Sequence, residues 1–165
     1  MNNVSLRAFE DSDLNLMTEW LNKEYILKWY LDAEEWLEEI NARNDKFAWI
    51  HHFIVMYEKT PIGFCQHYDC FDANNMEDWY EVTKRGTYSI DYLIGNEDYL
   101  GKGYGKAIIE LLTNTIKQIE KANKIIVQPD KDNHSSNHVL LANGYIFDKE
   151  KDYYYKMLEQ LVKTK

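Results

Sequence analysis

Residues 91–109 read DYLIGNEDYLGKGYGKAII, with Gly101, Gly103 and Gly105 alternating with Lys102 and Tyr104 ahead of an apolar run. The start of a helix leaves backbone N–H groups unpaired, and the helix dipole adds partial positive charge there. Glycines let a backbone approach a ligand closely and adopt dihedrals other residues avoid. Lys102 and Lys106 add full charges. The stretch has the makings of an anion site, and phosphate is the natural occupant. Two familiar phosphate loops do not fit it. The fingerprint G-x-G-x-x-G, begun at Gly101 and Gly103, needs glycine where Lys106 stands. The loop G-x-x-x-x-G-K-[ST], begun at Gly95, meets Leu100 in place of its second glycine. What survives is x-x-G-x-G at Gly103 and Gly105, opening a long helix.

A second group of chemically able residues lies upstream. Asp69, Asp72, Glu77, Asp78 and Glu81, with Trp79 and Tyr80, occupy a polar segment at 69–85. Carboxylates beside aromatic faces suit a polycationic amine, through Coulomb attraction and cation–π contact. The same composition also describes a solvated loop. His134 and His138 share a helix face, but no third ligand follows a zinc spacing, so no metal is expected. Cys65 and Cys70 read as free structural thiols.

The elements that position these groups follow from hydrophobic period. Residues 4–9 alternate as a strand. Asp11 or Ser12 can cap a helix carrying Leu14, Met17 and Leu21. Helices are expected at 24–31 and, more acidic, at 33–43. Residues 49–57 and 62–68 read as strands around a turn at Lys59-Thr60-Pro61. A strand at 86–94 leads into the glycine loop. Tyr104, Ile108, Leu112, Ile116 and Ile119 mark the next helix, ending near Lys121. A short strand at 124–128, a helix at 133–143 stopped by Gly144, and a hairpin at 145–148 and 153–158 complete the chain. The order predicts a mixed α/β (α+β) fold, with a central, mostly antiparallel sheet flanked by helices, as a single domain over 1–165.

Composition narrows the classes of function. The net charge of −9 disfavours nucleic acid and favours cationic partners. There is no apolar run of about 18 residues, so no membrane span is expected. The first residues lack a signal-peptide core, and the cytoplasm is the expected compartment.

Leu100-Gly-Lys-Gly-Tyr-Gly resembles the R/Q-x-x-G-x-G/A pyrophosphate loop of the GNAT superfamily of N-acetyltransferases. The element order is similar to that fold from Val4 to Leu158. Ile90 to Gly95 with the loop after it, Gln128-Pro129-Asp130-Lys131-Asp132-Asn133, and Asn143-Gly144-Tyr145 resemble the aminoglycoside 6'-N-acetyltransferases in particular. Glu19-Trp20-Leu21-Asn22 and Trp29-Tyr30 resemble that group too.

The resemblance implies acetyl-CoA as the cofactor. Its pyrophosphate would lie on Gly101, Lys102, Gly103, Tyr104, Gly105 and Lys106. A backbone N–H at Leu93 or Ile94 would face the oxyanion, and Asn133 would bond the pantetheine arm or simply cap its helix. A primary amine is mostly protonated at neutral pH, with a pKa of about 10, so a proton acceptor is needed. Asp91 holds the family's position for it. The acceptor would be a small cationic amine, with an aminoglycoside the leading choice and Asp69, Asp72, Glu77, Asp78, Trp79, Tyr80 and Glu81 as its contacts.

Two positions depart from that group. Leu140 stands where many members have a tyrosine that protonates the leaving thiolate, and Tyr153, Tyr154 and Tyr155 are the alternatives. Gln128 stands where the aminoglycoside enzymes have an aspartate. A polyamine or a protein or peptide amine as acceptor, or a non-catalytic coenzyme A binding domain, therefore stays open. Both monomer and homodimer are compatible.

Overall fold

The computed structural model describes residues 3–73 and 81–159. Seven strands form one sheet in the order β1-β2-β3-β4-β5-β7-β6. These are β1 (Val4–Ala8), β2 (Ile50–Tyr57), β3 (Thr60–Asp69), β4 (Thr87–Ile94), β5 (Lys124–Val127), β6 (Ile146–Asp148) and β7 (Tyr153–Met157). Every pairing is antiparallel except β4 with β5. Helices α1 (Leu14–Leu21), α2 (Glu24–Tyr30) and α3 (Ala33–Asn41) cover one face, and α4 (Tyr104–Lys117) and α5 (His134–Ala142) the other.

Period-two burial explains the sandwich. On β2, β3 and β4, Ile54, Phe64 and Leu93 point to one face and pack on Met17, Trp20 and Leu21 of α1. Val55, Cys65 and Ile90 point to the other and meet Ile108, Ile109 and Leu112 of α4. The apolar stripe read from the sequence is the face of α4 that fills this core. Both cysteines are buried and outside any disulfide, Cys65 with α4 and Cys70 in a third cluster around Phe47 and Tyr153.

Four local details differ from the sequence expectation. Neither Asp11 nor Ser12 caps α1. Residues Asp11–Asp13 form a 3-10 turn instead, and the Asp13 carboxylate accepts from Glu10 N–H at 2.9 Å and from both Arg7 nitrogens at 2.7 Å. That pairing holds the Asp13 carboxyl below its ordinary range. The β2–β3 turn is the pair Glu58-Lys59, with Glu58 at φ 51°, so β3 begins at Thr60. Pro61 is tolerated inside β3 because the ladder is bulged opposite it, between Val55 and Met56. Helix α4 ends at Lys117, a turn early, since the amides of Gln118 and Ile119 bond Thr115 and Ile116 in tighter turns.

The β4–α4 side locks onto α1 through close packing. A Cβ on Gly95 would lie 2.0 Å from Cδ2 of the buried Trp20. Gly95→Ala is therefore expected to lower stability by about 1–3 kcal/mol, the usual cost of overpacking. A urea unfolding midpoint equal to wild type would refute that packing.

Candidate functional site

The site begins with a split in the sheet. β4 and β5 pair only at Thr87 with Lys124 and Tyr88 with Ile125, and then separate. A cleft of about 640 Å³ opens at the split. Ser89, Ile90, Asp91 and Tyr92 of β4 line one side, and Val127, Gln128 and Pro129 line the other. Residues of α3 lie on one face of the sheet, and Asn133, Ser136 and Leu140 of α5 lie on the other. The cleft therefore passes through the sheet from one helical layer to the other.

Strand alternation settles which β4 groups face the split. A residue in an antiparallel ladder turns its N–H and C=O to the same neighbour, and the next residue turns both the other way. Thr87 C=O and Gly95 N–H bond the β3 side, to Cys70 and Ile62. Leu93 C=O faces Gly63, where a Cβ would sit 2.3 Å from it. The even residues turn outward. The Tyr92 carbonyl accepts from Tyr30, and the Ile94 carbonyl accepts from Tyr25 at 2.7 Å. Of the two expected oxyanion positions, Leu93 thus points its amide into the sheet and its side chain into the core beneath α1. Ile94 turns its N–H to the open edge.

Asp91 is half-buried in the cleft wall. Gln66, its partner across β3–β4, donates to Asp91 Oδ2 at 2.9 Å. Burial pushes the Asp91 carboxyl up to about 6, the Gln66 bond opposes the rise, and the nearby Glu39 carboxylate adds to it. A carboxylate of this kind is poised as a base near neutral pH.

The glycine loop stands apart from the cleft lining. Gly103 is the N-cap of α4 at φ 85°, and Gly101 has φ 68°. The helical ladder starts at Ala107 N–H on Gly103 C=O, so the amides of 104–106 precede it. Gly101, Lys102, Gly103 and Lys106 are exposed, while the Tyr104 ring packs on Tyr57 and Tyr99. Lys102 folds back to the Asp98 carbonyl at 2.7 Å. The open space around Gly101, where an added Cβ would meet nothing within 4 Å, and the unladdered amides fit a pyrophosphate. Tyr92 joins loop to cleft, since a Cβ on Gly105 would lie 3.5 Å from its ring. Asn133 lines the cleft and also caps α5, its Oδ1 accepting from Ser136 N–H at 3.1 Å.

The described part of the 69–85 segment does not reach the cleft. The Asp69 carboxylate is buried and accepts from the amides of Phe71 and Gly86, tying the segment's two ends together. Asp72 pairs with Arg85 at 2.7 Å, and Glu81 with Lys151 at 3.3 Å. These described carboxylates have local partners and do not line the cleft, where the sequence reading had expected acceptor contacts. Glu77, Asp78, Trp79 and Tyr80 lie outside the described residues.

The acidic wall comes from α3 instead. Glu35, Glu38 and Glu39, at i, i+3 and i+4, share one helix face toward the cleft, with Trp36, Trp29 and Trp49 beside them. Gln128 spends its amide on the Asp152 carbonyl at 2.9 Å, but Asp130, two residues on, lines the cleft. Leu140 is part of the apolar wall, and the three tyrosines of β7 are structural. Tyr154 donates to Asn137 at 2.8 Å, Tyr155 lies under Lys124, and Tyr153 is in the core.

A family model, the Acetyltransferase (GNAT) domain, matches residues 10–153. The chain belongs to the GNAT acetyltransferases. Curated relatives agree: aminoglycoside N(6')-acetyltransferases type 1 of Klebsiella pneumoniae and Serratia marcescens are each 29% identical over 140 residues, 79% of this chain and 67% of theirs. Aminoglycoside acetyltransferase AAC(6')-Ib in complex with coenzyme A superposes with a TM-score of 0.82 at 23% identity, over 93% of this chain and 94% of that one. Spermidine N-acetyltransferase from Vibrio cholerae, in complex with coenzyme A and spermine, superposes at 0.75 and 17%, over 97% and 98%. This GNAT chain is an N-acetyltransferase with the family's mixed sheet, and its split between β4 and β5 is where the cleft forms.

The pH dependence of this site has a definite sign. A base must be ionised, so kcat/KM should fall as pH drops through about 6, and not through the ordinary aspartate value. The folded state binds the Asp91 proton more tightly than the unfolded chain. Stability therefore falls as pH rises through the interval from 3.8 to about 6, and the ionised form is a cost at neutral pH. Asp91→Asn should abolish the acidic limb along with turnover and raise the melting temperature at neutral pH. A variant that kept wild-type turnover would remove Asp91 from the chemistry.

Proposed function

We propose that this protein acetylates a primary amine of an aminoglycoside, using acetyl-CoA. The observation that carries the reading is the acidic, aromatic-lined wall of Glu35, Glu38 and Glu39 facing Asp91 across one cleft. Carboxylates so arranged repel one another unless a polycation lies between them. The names of the curated relatives support an aminoglycoside as that polycation.

Acetyl-CoA supplies the acetyl group as a thioester, whose C–S bond breaks as the new C–N bond forms. The chain's own residues do the rest. The amides of 104–106 and the Lys106 ammonium hold the pyrophosphate at the start of α4. Cleft residues of α5, Asn133 and Ser136, face the pantetheine path. Asp91 takes the ammonium proton, directly or through water, and passes it to solvent. The outward N–H of Ile94 is the donor on the open edge for the developing oxyanion. Leu140 cannot give the leaving sulfur a proton; Tyr92 and Ser136 are cleft hydroxyls on its side of the sheet. The −9 charge supports steering of cations to the site.

The same wall could take a linear polyamine, and one assay separates the two. Thiol release from acetyl-CoA is measured with kanamycin, with spermidine and with a lysine peptide. Release with kanamycin alone is expected. Release with spermidine alone would keep Asp91 and change the acceptor. Coenzyme binding without release for any amine would overturn the enzymatic reading. Gly103→Val, which forces a branched residue to a positive φ, should weaken coenzyme A binding by about tenfold or more through strain of about 1–3 kcal/mol in the bound loop. Unchanged affinity by calorimetry would place the pyrophosphate elsewhere.

A further inference from the structure

His51 and His67 face each other across β2 and β3, on the α4 side of the sheet and away from the α3 wall. They are register partners in the antiparallel ladder, in line with Phe53, Val55 and Cys65 on the same face. Directly opposite residues hold their Cβ atoms about 5 Å apart. The two imidazole centroids here are 4.9 Å apart. His52, next in sequence, points to the other face. The β2–β3 register, not the His-His dipeptide, makes the pair.

The two rings differ in setting. His51 is exposed, and His67 is only 4% exposed. Phe53 and Tyr88 pack on the His67 ring at 5.5 and 5.9 Å, which fixes its position. His67 Nδ1 is nevertheless buried with no hydrogen-bond partner among the described residues. A buried polar nitrogen calls for a partner, and for imidazole that partner is commonly a metal ion. Burial holds both rings below the ordinary histidine range, His67 at about 4. Each is therefore neutral at neutral pH, the form that ligates metals. Two imidazoles on one tetrahedral ion, at about 2.1 Å per Zn–N bond, place their centroids about 5 Å apart. The pair already has that spacing.

We propose that His51 and His67 form a two-histidine site for a divalent transition-metal ion, which clamps β2 to β3. Among the described residues no group of three His, Cys, Asp or Glu is placed to hold a metal ion, so water completes the coordination. A site of this kind, with imidazole ligands only, binds Cu2+ more tightly than Ni2+ or Zn2+. Mg2+ and Ca2+ take oxygen ligands and are refused. The Asp72 carboxylate acts on His51 through its charge, while Arg85 holds it at 2.7 and 2.8 Å. Asp72 thus favours a cation nearby without ligating it. Neither histidine lines the cleft, and the site does not depend on the acetyl-transfer reading. The unfolded chain does not hold residues 51 and 67 together, so the ion stabilises the folded state.

His134 and His138 lie four apart on α5 and can chelate an ion by themselves. The test therefore uses untagged protein carrying His138→Ala throughout. Calorimetry and thermal melts are run with Cu2+, Zn2+ and Mg2+, and Cu2+ is followed by electron paramagnetic resonance. One Cu2+ per chain is expected, with two imidazole nitrogens in its spectrum. The melting temperature should rise with Cu2+, rise less with Zn2+ and stay level with Mg2+. Adding His51→Ala should weaken Cu2+ binding by about tenfold or more, at least what loss of a supporting contact costs a metal site. It should also leave one nitrogen in the spectrum. No Cu2+ binding, an affinity unchanged by His51→Ala, or a single nitrogen before that substitution would overturn the site. His67→Leu should weaken binding as His51→Ala does, and unchanged affinity there would overturn the site equally. If His67→Leu shows no cooperative melting transition, the exposed His51 position and the spectrum decide.

Discussion

The structure depends on a ladder that stops early. β4 and β5 share two residue pairs and then part, so one strand edge in the middle of the sheet keeps its hydrogen-bonding groups unpaired by β5. Unpaired backbone inside a protein needs other partners. α2 provides them for the carbonyls, through Tyr30 on Tyr92 and Tyr25 on Ile94. Lys23 adds a bond to Gly95 at 2.9 Å. Only the carbonyls are taken in this way, which leaves the edge with an excess of N–H donors. An edge biased toward donors is suited to a developing negative charge. The helix that covers the gap therefore also sets its electrostatic sense.

The two helical layers divide the work across that gap. α4 and α5 bring helix starts, glycines and a mostly apolar wall, which suits an anionic, elongated coenzyme. α3 brings three carboxylates at helical spacing, which suits a cation. The reacting groups meet only where the sheet is open, at Asp91 and the residues beside it. Gly95, Gly63 and Trp20 keep the edge in place, because any Cβ on either glycine would collide with Trp20 or with the Leu93 carbonyl. A rigid edge matters here because Asp91 and the outward N–H of Ile94, proposed as base and oxyanion donor, lie three residues apart on one strand.

Much of this was legible in the sequence, and the exceptions have physical causes. Most strands and helices were placed within a residue or two, since β-branched and aromatic content at 49–57 and the apolar stripe that starts at Tyr104 point to one element type each, although α4 ends a turn earlier than expected. The glycine loop was legible because x-x-G-x-G before an amphipathic helix restricts the backbone at Gly103 to an αL cap. Asp91 was singled out by its place on the strand before that loop and by the resemblance, and it lies in the cleft wall. The carboxylates that line the cleft were not the ones singled out in the sequence. Acidic residues at 69–85 looked free because sequence cannot show that Asp69 bonds two amides across the segment, or that Arg85 and Lys151 neutralise its neighbours. The α3 carboxylates had a signal, Glu35, Glu38 and Glu39 on one face beside Trp36, but it looked like an ordinary solvated helix. Gln66 had one too: a lone amide inside an otherwise apolar stretch, which only the β3–β4 register turns into a partner of Asp91.

Burial gives these polar groups their meaning. Ionised Asp91, the Glu39 oxygen and the Gln66 carbonyl each carry a desolvation cost in the folded protein, as does the unpaired His52 nitrogen beside Glu39. An apolar residue at any of the three would be cheaper for folding. In the proposed reaction a donor-rich cation would lower that cost, and the difference would add to its binding free energy.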